Sequence, residues 1–217
     1  MTKRLLITRP NHDVILSYIH FWNNDVIQLA KDKGFQVKDL EGKQADKEIL
    51  EEYLEKQQPV LIFLNGHGNS TTICGHDNKP LVDVEQNVKL LKSSIVHALS
   101  CNSSEILGEA AVKAGAGAYL GYTLPFSIVT DKSSECKPGK DRLAELFKEP
   151  ALEAPKNLVK GRTVGEAYAK AKKRYKEAIL SFSLSNSPLE AEYIRFALFS
   201  NMQAFDLKCN DSDACAW

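Results

Sequence analysis

Two short, almost wholly apolar runs, Pro59–Leu64 (PVLIFL) and Ile95–Leu99 (IVHAL), restrict this chain more than anything else in it. Runs of five or six such residues are too short for a buried helix and suit strands covered on both faces, as in the middle of a parallel sheet. Around them, strand and helix patterns alternate. Arg4–Thr8 (RLLIT) reads as a strand closed by Arg9-Pro10-Asn11, and residues 14–33 as a helix stopped by Gly34. Residues 35–40 (FQVKDL) alternate like a half-buried strand, and residues 46–56 place Ile49, Leu50, Tyr53 and Leu54 on one helical face.

Residues 117–122 (GAYLGY) predict another strand, reached through a helix that Asn102 or Ser103 caps and Gly115 ends. Thr163-Val-Gly-Glu166 is a capping box ahead of Val164, Ala167, Ala171, Tyr175 and Ala178 at helical spacing. Residues 124–140 and 149–161, rich in Ser, Lys, Gly and Pro, read as surface loops. The alternation predicts a three-layer α/β/α sandwich with a mostly parallel central sheet, as a single domain over residues 1–217.

Composition excludes more than it selects. Lys+Arg 28 balances Asp+Glu 28, so no overall field points to nucleic acid or to a membrane surface. The run Lys170–Lys176 reads as the solvated face of a helix. Five cysteines, an odd and scattered set, argue against a disulfide framework and for a reducing compartment. The first residues, MTKRLLITRPNHD, carry no long apolar stretch, so neither signal peptide nor anchor is expected and the expected location is cytoplasmic.

The chemistry gathers where the two apolar runs end. The first stops at Asn65-Gly66-His67-Gly68, the second at Ser100-Cys101. In an open parallel sheet, ligands bind at the carboxyl ends of strands, and both residues lie just past such ends. Glycines beside His67 allow a close approach of another backbone. Cys101 is expected directly before a helix N-terminus, where unpaired N–H groups favour a thiolate. A thiolate nucleophile, an imidazole that moves the proton, and backbone donors for a developing oxyanion together make a cysteine protease. Cys101 and His67 fill the first two roles, and the amides of Gly68 and Cys101 are the candidates for the third. Ser100 is expected to point away from Cys101.

Strand-Gly-His-Gly followed by strand-Ser-Cys resembles the caspase-like cysteine peptidases, the group that includes caspases, legumains, gingipains, separases and CHAT domains. The matching pieces are NGHG at 65–68 and ALSC at 98–101. GAGAYLGYT at 115–123 is similar to the strand after the catalytic helix in gingipain-like and CHAT members. GRTVGEAYAKAKKRY from 161 is similar to their later long helix, and NMQAFDLK at 201–208 to their last strand. The resemblance implies a caspase-like fold and an endopeptidase acting on peptide or protein substrates without a cofactor. It departs at residues 209–213, where CHAT-type chains have a Gly-Asp-Pro turn and this one reads Cys-Asn-Asp-Ser-Asp.

Other sets are weaker. Cys74, His76, Asp77 and His67 fit no zinc spacing, so no metal site is expected. His97, inside an apolar run, reads as a core histidine. Arg9 could read an acidic substrate side chain, and Asp77 or Asp131 a basic one, with Tyr122 grouped beside them as a substrate contact. The rival functions are a non-catalytic interaction module that keeps the fold as part of a larger assembly, and a metal-dependent hydrolase built on the Cys74–His76 region; a regulatory partner protein is left open for the peptidase itself.

Overall fold

The computed structural model describes residues 3–134, 137–181 and 191–215; positions 135 and 136 of the expected 124–140 loop lie outside them. In chain order the elements are β1 (Arg4–Arg9), α1 (Val14–Asp32), β2 (Gln36–Glu41), α2 (Lys47–Gln57), β3 (Leu61–Asn65), β4 (Thr72–Cys74), β5 (Pro80–Asp83), β6 (Ile95–Leu99), α3 (Leu107–Lys113), β7 (Ala118–Tyr122), α4 (Arg142–Val159), α5 (Val164–Ser181), α6 (Ala191–Ala204) and β8 (Phe205–Cys209). Six strands form one sheet in the order β2-β1-β3-β6-β7-β8, and β4 pairs with β5 in a separate hairpin. Every pairing in the large sheet is parallel except β7 with β8, which is antiparallel. The expected α/β class with a mostly parallel sheet between helices is therefore the observed one.

Burial follows the two-residue period of a strand. In β3, Leu61 and Phe63 face the layer of α1, α4, α5 and α6, while Ile62 and Leu64 face α2, α3 and the hairpin. β3 and β6 are buried at every position, which is why their sequences run apolar without alternation. His97 of β6 lies between the rings of Phe63 and Phe205, and burial pushes its pKa down to about 3, so it is a neutral core histidine. Among the described residues, no helix is long and apolar enough to cross a membrane.

Two expectations fail. Residues 149–161 are not a loop: α4 runs through Pro150 and Pro155. Each internal proline costs about 3 kcal/mol. Phe147, Leu152, Leu158 and Val159 are fully buried on the same helix, and each such side chain contributes about 1.5–3 kcal/mol. The packed face thus outweighs the broken hydrogen bonds. Nor does a helix begin at Cys101. Residues 101–106 form turns, with Asn102 left-handed at φ 57°, and α3 starts only at Leu107. The capping box at Thr163 is present as expected: Glu166 N–H donates to Thr163 Oγ1 at 3.1 Å, and Thr163 N–H to Glu166 Oε2 at 3.2 Å.

Arg9 ends β1 in a buried ion pair. Its Nε donates to Asp39 Oδ1 at 2.9 Å and its Nη2 to Asp39 Oδ2 at 2.5 Å, while Glu41 Oε2 lies at 3.4 Å. Nη1 donates to His20 O and Asn24 Oδ1. Removing one partner of such a pair leaves a buried charge uncompensated. Asp39→Ala should therefore lower stability by about 3 kcal/mol, the low end of that range because Glu41 stays nearby. Replacing both members, Arg9→Met with Asp39→Leu, should return most of it. Denaturant unfolding checks this, and a loss below about 1 kcal/mol for the single variant would show that the pair is unimportant.

Candidate active site

β1 and β3 pair from Leu5↔Leu61 to Ile7↔Phe63 and then part. Beyond that point side chains replace the backbone ladder. Asn65 N–H donates to Thr8 Oγ1 at 2.9 Å, and Thr8 Oγ1 to Asn65 O at 3.1 Å. Asn65 Nδ2 donates to Thr8 O at 2.7 Å, and Asn23 of α1 reaches Asn65 Oδ1 at 3.3 Å. Because β2 lies on the far side of β1, the strand order reverses between β1 and β3. In folds of this kind the carboxyl edge at such a reversal is the place where ligands bind.

On the other side, β3 and β6 stay in register to their ends, Asn65 opposite Leu99. His67 and Cys101 each stand two residues beyond this last pair, so one strand register delivers both to the same edge. Gly66 N–H still donates to Leu99 O at 3.4 Å. The glycines are needed for close approach. A Cβ on Gly68 would lie 2.2 Å from Ser100 Oγ and 2.7 Å from Thr72 O, and one on Gly66 would lie 2.1 Å from Cys74 O.

His67 has a partner that local sequence patterns did not reveal. Its Nε2 lies 2.6 Å from Asp13 Oδ2, while Asp13 Oδ1 accepts the Leu16 N–H as N-cap of α1. One carboxylate thus both starts the helix and holds the imidazole. Burial pushes the Asp13 pKa up, but the Leu16 N–H, the His67 hydrogen bond and the charges of His67 and His12 outweigh it and hold the carboxyl below its usual range. Its contribution to stability is present above the pKa of the unfolded chain and is lost as pH falls through the lower folded value. With Asp13 ionised, Nε2 carries the ring hydrogen and Nδ1 is left as the basic nitrogen.

Cys101 is half-buried, and its Sγ accepts the N–H of Phe126 at 3.4 Å. That donor comes from the segment after β7, which Asn102 fastens by donating to Thr123 O, and which Asn201 of α6 holds by two hydrogen bonds to Ser127. The turn after Cys101 and this segment, not a helix end, therefore surround the sulfur. The Ser100 hydroxyl is buried without a hydrogen-bond partner and lies against Gly68. Burial pushes the thiols of Cys74 and Cys209 up.

The two amides suggested for an oxyanion are both free of backbone acceptors among the described residues. Gly68 bridges Ile73 in the hairpin through the bonds of its neighbours, Cys74 N–H to His67 O and Asn69 N–H to Thr72 O. That pattern turns the Gly68 N–H away from Ile73. Neither it nor the Cys101 N–H has a hydrogen-bond partner among the described residues.

Two of the outlying candidates, Arg9 and Tyr122, are buried away from any substrate. Arg9 is 4% exposed and fully engaged with Asp39, Glu41, His20 and Asn24, so it does not read a substrate. Tyr122 has no exposed surface, and its hydroxyl meets that of Tyr175 at 2.9 Å. Asp131 accepts from Ser133 N–H and Oγ within its own turn, and the Ser133 amide foremost holds its carboxyl below the usual range. Asp77 is exposed, beside His76 and His12.

Gly68→Ala should lower stability by about 1–3 kcal/mol, the cost of overpacking a filled site. Adding Ser100→Ala should recover only part of this, because the Thr72 carbonyl is backbone and stays in place. Thermal unfolding of the single and double variants beside the parent tests the point, and an unchanged midpoint for Gly68→Ala would contradict it.

No protein-family model matches the chain, and no curated protein matches it. Among solved structures the fold is similar to the crystal structure of the Arg-specific cysteine proteinase gingipain R, with a TM-score of 0.63 at 11% sequence identity. The likeness covers 98% of this chain and 47% of that one, so the chain spans about half the length of that proteinase chain. At this identity the likeness carries the fold alone: a mostly parallel sheet between helices.

Proposed function

We propose that this chain is a cysteine-type endopeptidase of the caspase-like kind, acting on peptide or protein substrates through Cys101 and His67. The observation that carries the reading is the shared register of β3 and β6, which leaves His67 and Cys101 at equal distance beyond Asn65↔Leu99, with His67 held by Asp13 at 2.6 Å. The fold likeness to a cysteine proteinase supports it at the level of architecture.

In this reading His67 Nδ1 takes the proton from Cys101, and the thiolate attacks the scissile carbonyl to form a C–S bond. Gly68 and Cys101 N–H groups bind the oxygen of the tetrahedral intermediate. Its collapse breaks the C–N bond, and the amine leaves with the proton from His67. Water, deprotonated by the same imidazole, then hydrolyses the thioester and restores the thiol. Asp13 acts through His67: it fixes the tautomer and stabilises the imidazolium. The Phe126 N–H gives the thiolate a donor.

Cys101→Ala should cost on the order of 1 kcal/mol in stability and abolish cleavage of a peptide library. His67→Ala should lower cleavage by about 10²–10⁴-fold. The double variant should be no worse than Cys101→Ala alone, because the two side chains serve one step. Full activity in Cys101→Ala would end the assignment.

A further inference from the structure

Three side chains outside the proposed catalytic set converge beside it. His12 lies in the exit from β1, and His76 and Asp77 lie in the turn between β4 and β5. Each offers one ligand atom, and these atoms all lie within 4.8 Å of one another. The rings of His12 and His76 have centroids 5.2 Å apart at 75°. His76 Nε2 is 3.4 Å from Asp77 Oδ1, longer than a hydrogen bond. It matches the edge of about 3.4 Å in a tetrahedron with metal–ligand bonds of about 2.0–2.1 Å.

His76 supplies the second, independent observation. Its Nδ1 is buried without a hydrogen-bond partner, and its Nε2 has only the distant Asp77 oxygen. A largely buried imidazole with an unsatisfied nitrogen lacks a partner, and the neighbours of the ring are a second imidazole and a carboxylate. His12 is itself engaged, its Nδ1 accepting the Asp77 N–H at 3.2 Å and its Nε2 lying 3.2 Å from Asn78 Oδ1, so a bound metal replaces one of these two bonds. Two imidazoles and a carboxylate, the last exposed to solvent that can supply a fourth ligand, suit Zn²⁺ and not the oxygen-seeking Ca²⁺ or Mg²⁺. Cys74 and His67, which stand near His76 in the sequence, are not in this cluster; His12 replaces them.

The cluster adjoins the proposed machinery. His12 Nε2 lies 3.9 Å from Asp13 Oδ2, the oxygen that holds His67, and the His12 and His67 rings are 6.3 Å apart. A divalent charge on His12 would draw the Asp13 carboxylate away from His67 and oppose the imidazolium that the proposed mechanism needs. We infer that His12, His76 and Asp77 form a Zn²⁺ site whose occupation inhibits the Asp13–His67–Cys101 assembly. The inhibitory half rests on the peptidase reading; binding of the metal does not.

The two halves are separable by experiment. Titration of Zn²⁺ into the Cys101→Ala protein, which removes the thiol as a competing ligand, should show one ion per chain. His76→Ala and Asp77→Gly should each weaken binding at least tenfold. Asp77→Gly keeps the fold as a control, since φ at this position is 55°, a conformation glycine accepts. Absence of binding, or equal affinity in both variants, would overturn the site. With Cys101 intact, Zn²⁺ should inhibit peptide cleavage, and Asp77→Gly should raise the inhibiting concentration at least tenfold relative to its own uninhibited rate. An unmoved inhibition midpoint would assign the effect to the Cys101–His67 pair and overturn the regulatory half. Absence of any metal-free cleavage would overturn the peptidase reading while leaving the binding result to stand.

Discussion

The parallel pairing of β3 with β6 is the constraint on which the rest of this molecule depends. Both strands are buried on both faces, so a slip of one residue would turn each apolar set onto the wrong layer. That penalty fixes Asn65 opposite Leu99. The chain leaving each strand is thereby aligned with its neighbour, which brings His67 from β3 level with Cys101 from β6. The glycines on either side of His67 preserve the alignment past the strand end, because any Cβ at Gly68 would strike Ser100 and Thr72.

A second feature gives the pair its setting. β1 leaves β3 after Ile7↔Phe63, and the Thr8–Asn65–Asn23 hydrogen bonds close the gap that the missing ladder would leave. The chain leaving β1 is then free to turn into α1. The residue that caps that helix, Asp13, arrives beside His67 as a consequence. Helix initiation and imidazole orientation are one structural event, so changes at Asp13 should be read for both.

The sheet class, the buried central strands and the two strand-end residues were legible in the sequence because they rest on local patterns: apolar runs, glycines and their order along the chain. What escaped depends on non-local pairing. Asp13 stands 54 positions before His67, and only the β1–β3 adjacency joins them; its place just before an apolar helical run was the one local sign, and that sign reports a cap. Arg9 looked available to a substrate because its partner Asp39 sits on β2, beyond the reach of any local pattern. The Ser-Ser-Glu sequence after Cys101 imitates a helix start, yet the left-handed Asn102 and the contacts to Thr123 and Leu124 hold it as turns. In α4, proline content masked an apolar face that packing made decisive.

In the proposed mechanism Cys101 is a nucleophile activated by His67. This activation is tested most directly by treating the folded protein with a mixed library of peptidyl acyloxymethyl ketones and locating the adduct by peptide mass mapping. A nucleophilic thiol displaces the acyloxy group and keeps the peptidyl ketone as a thioether, so the label marks the reacting sulfur. One adduct per chain is expected, on Cys101, formed much more slowly in His67→Ala. Labelling of Cys74, Cys209 or Cys215 in preference, or a Cys101 rate that does not depend on His67, would contradict it.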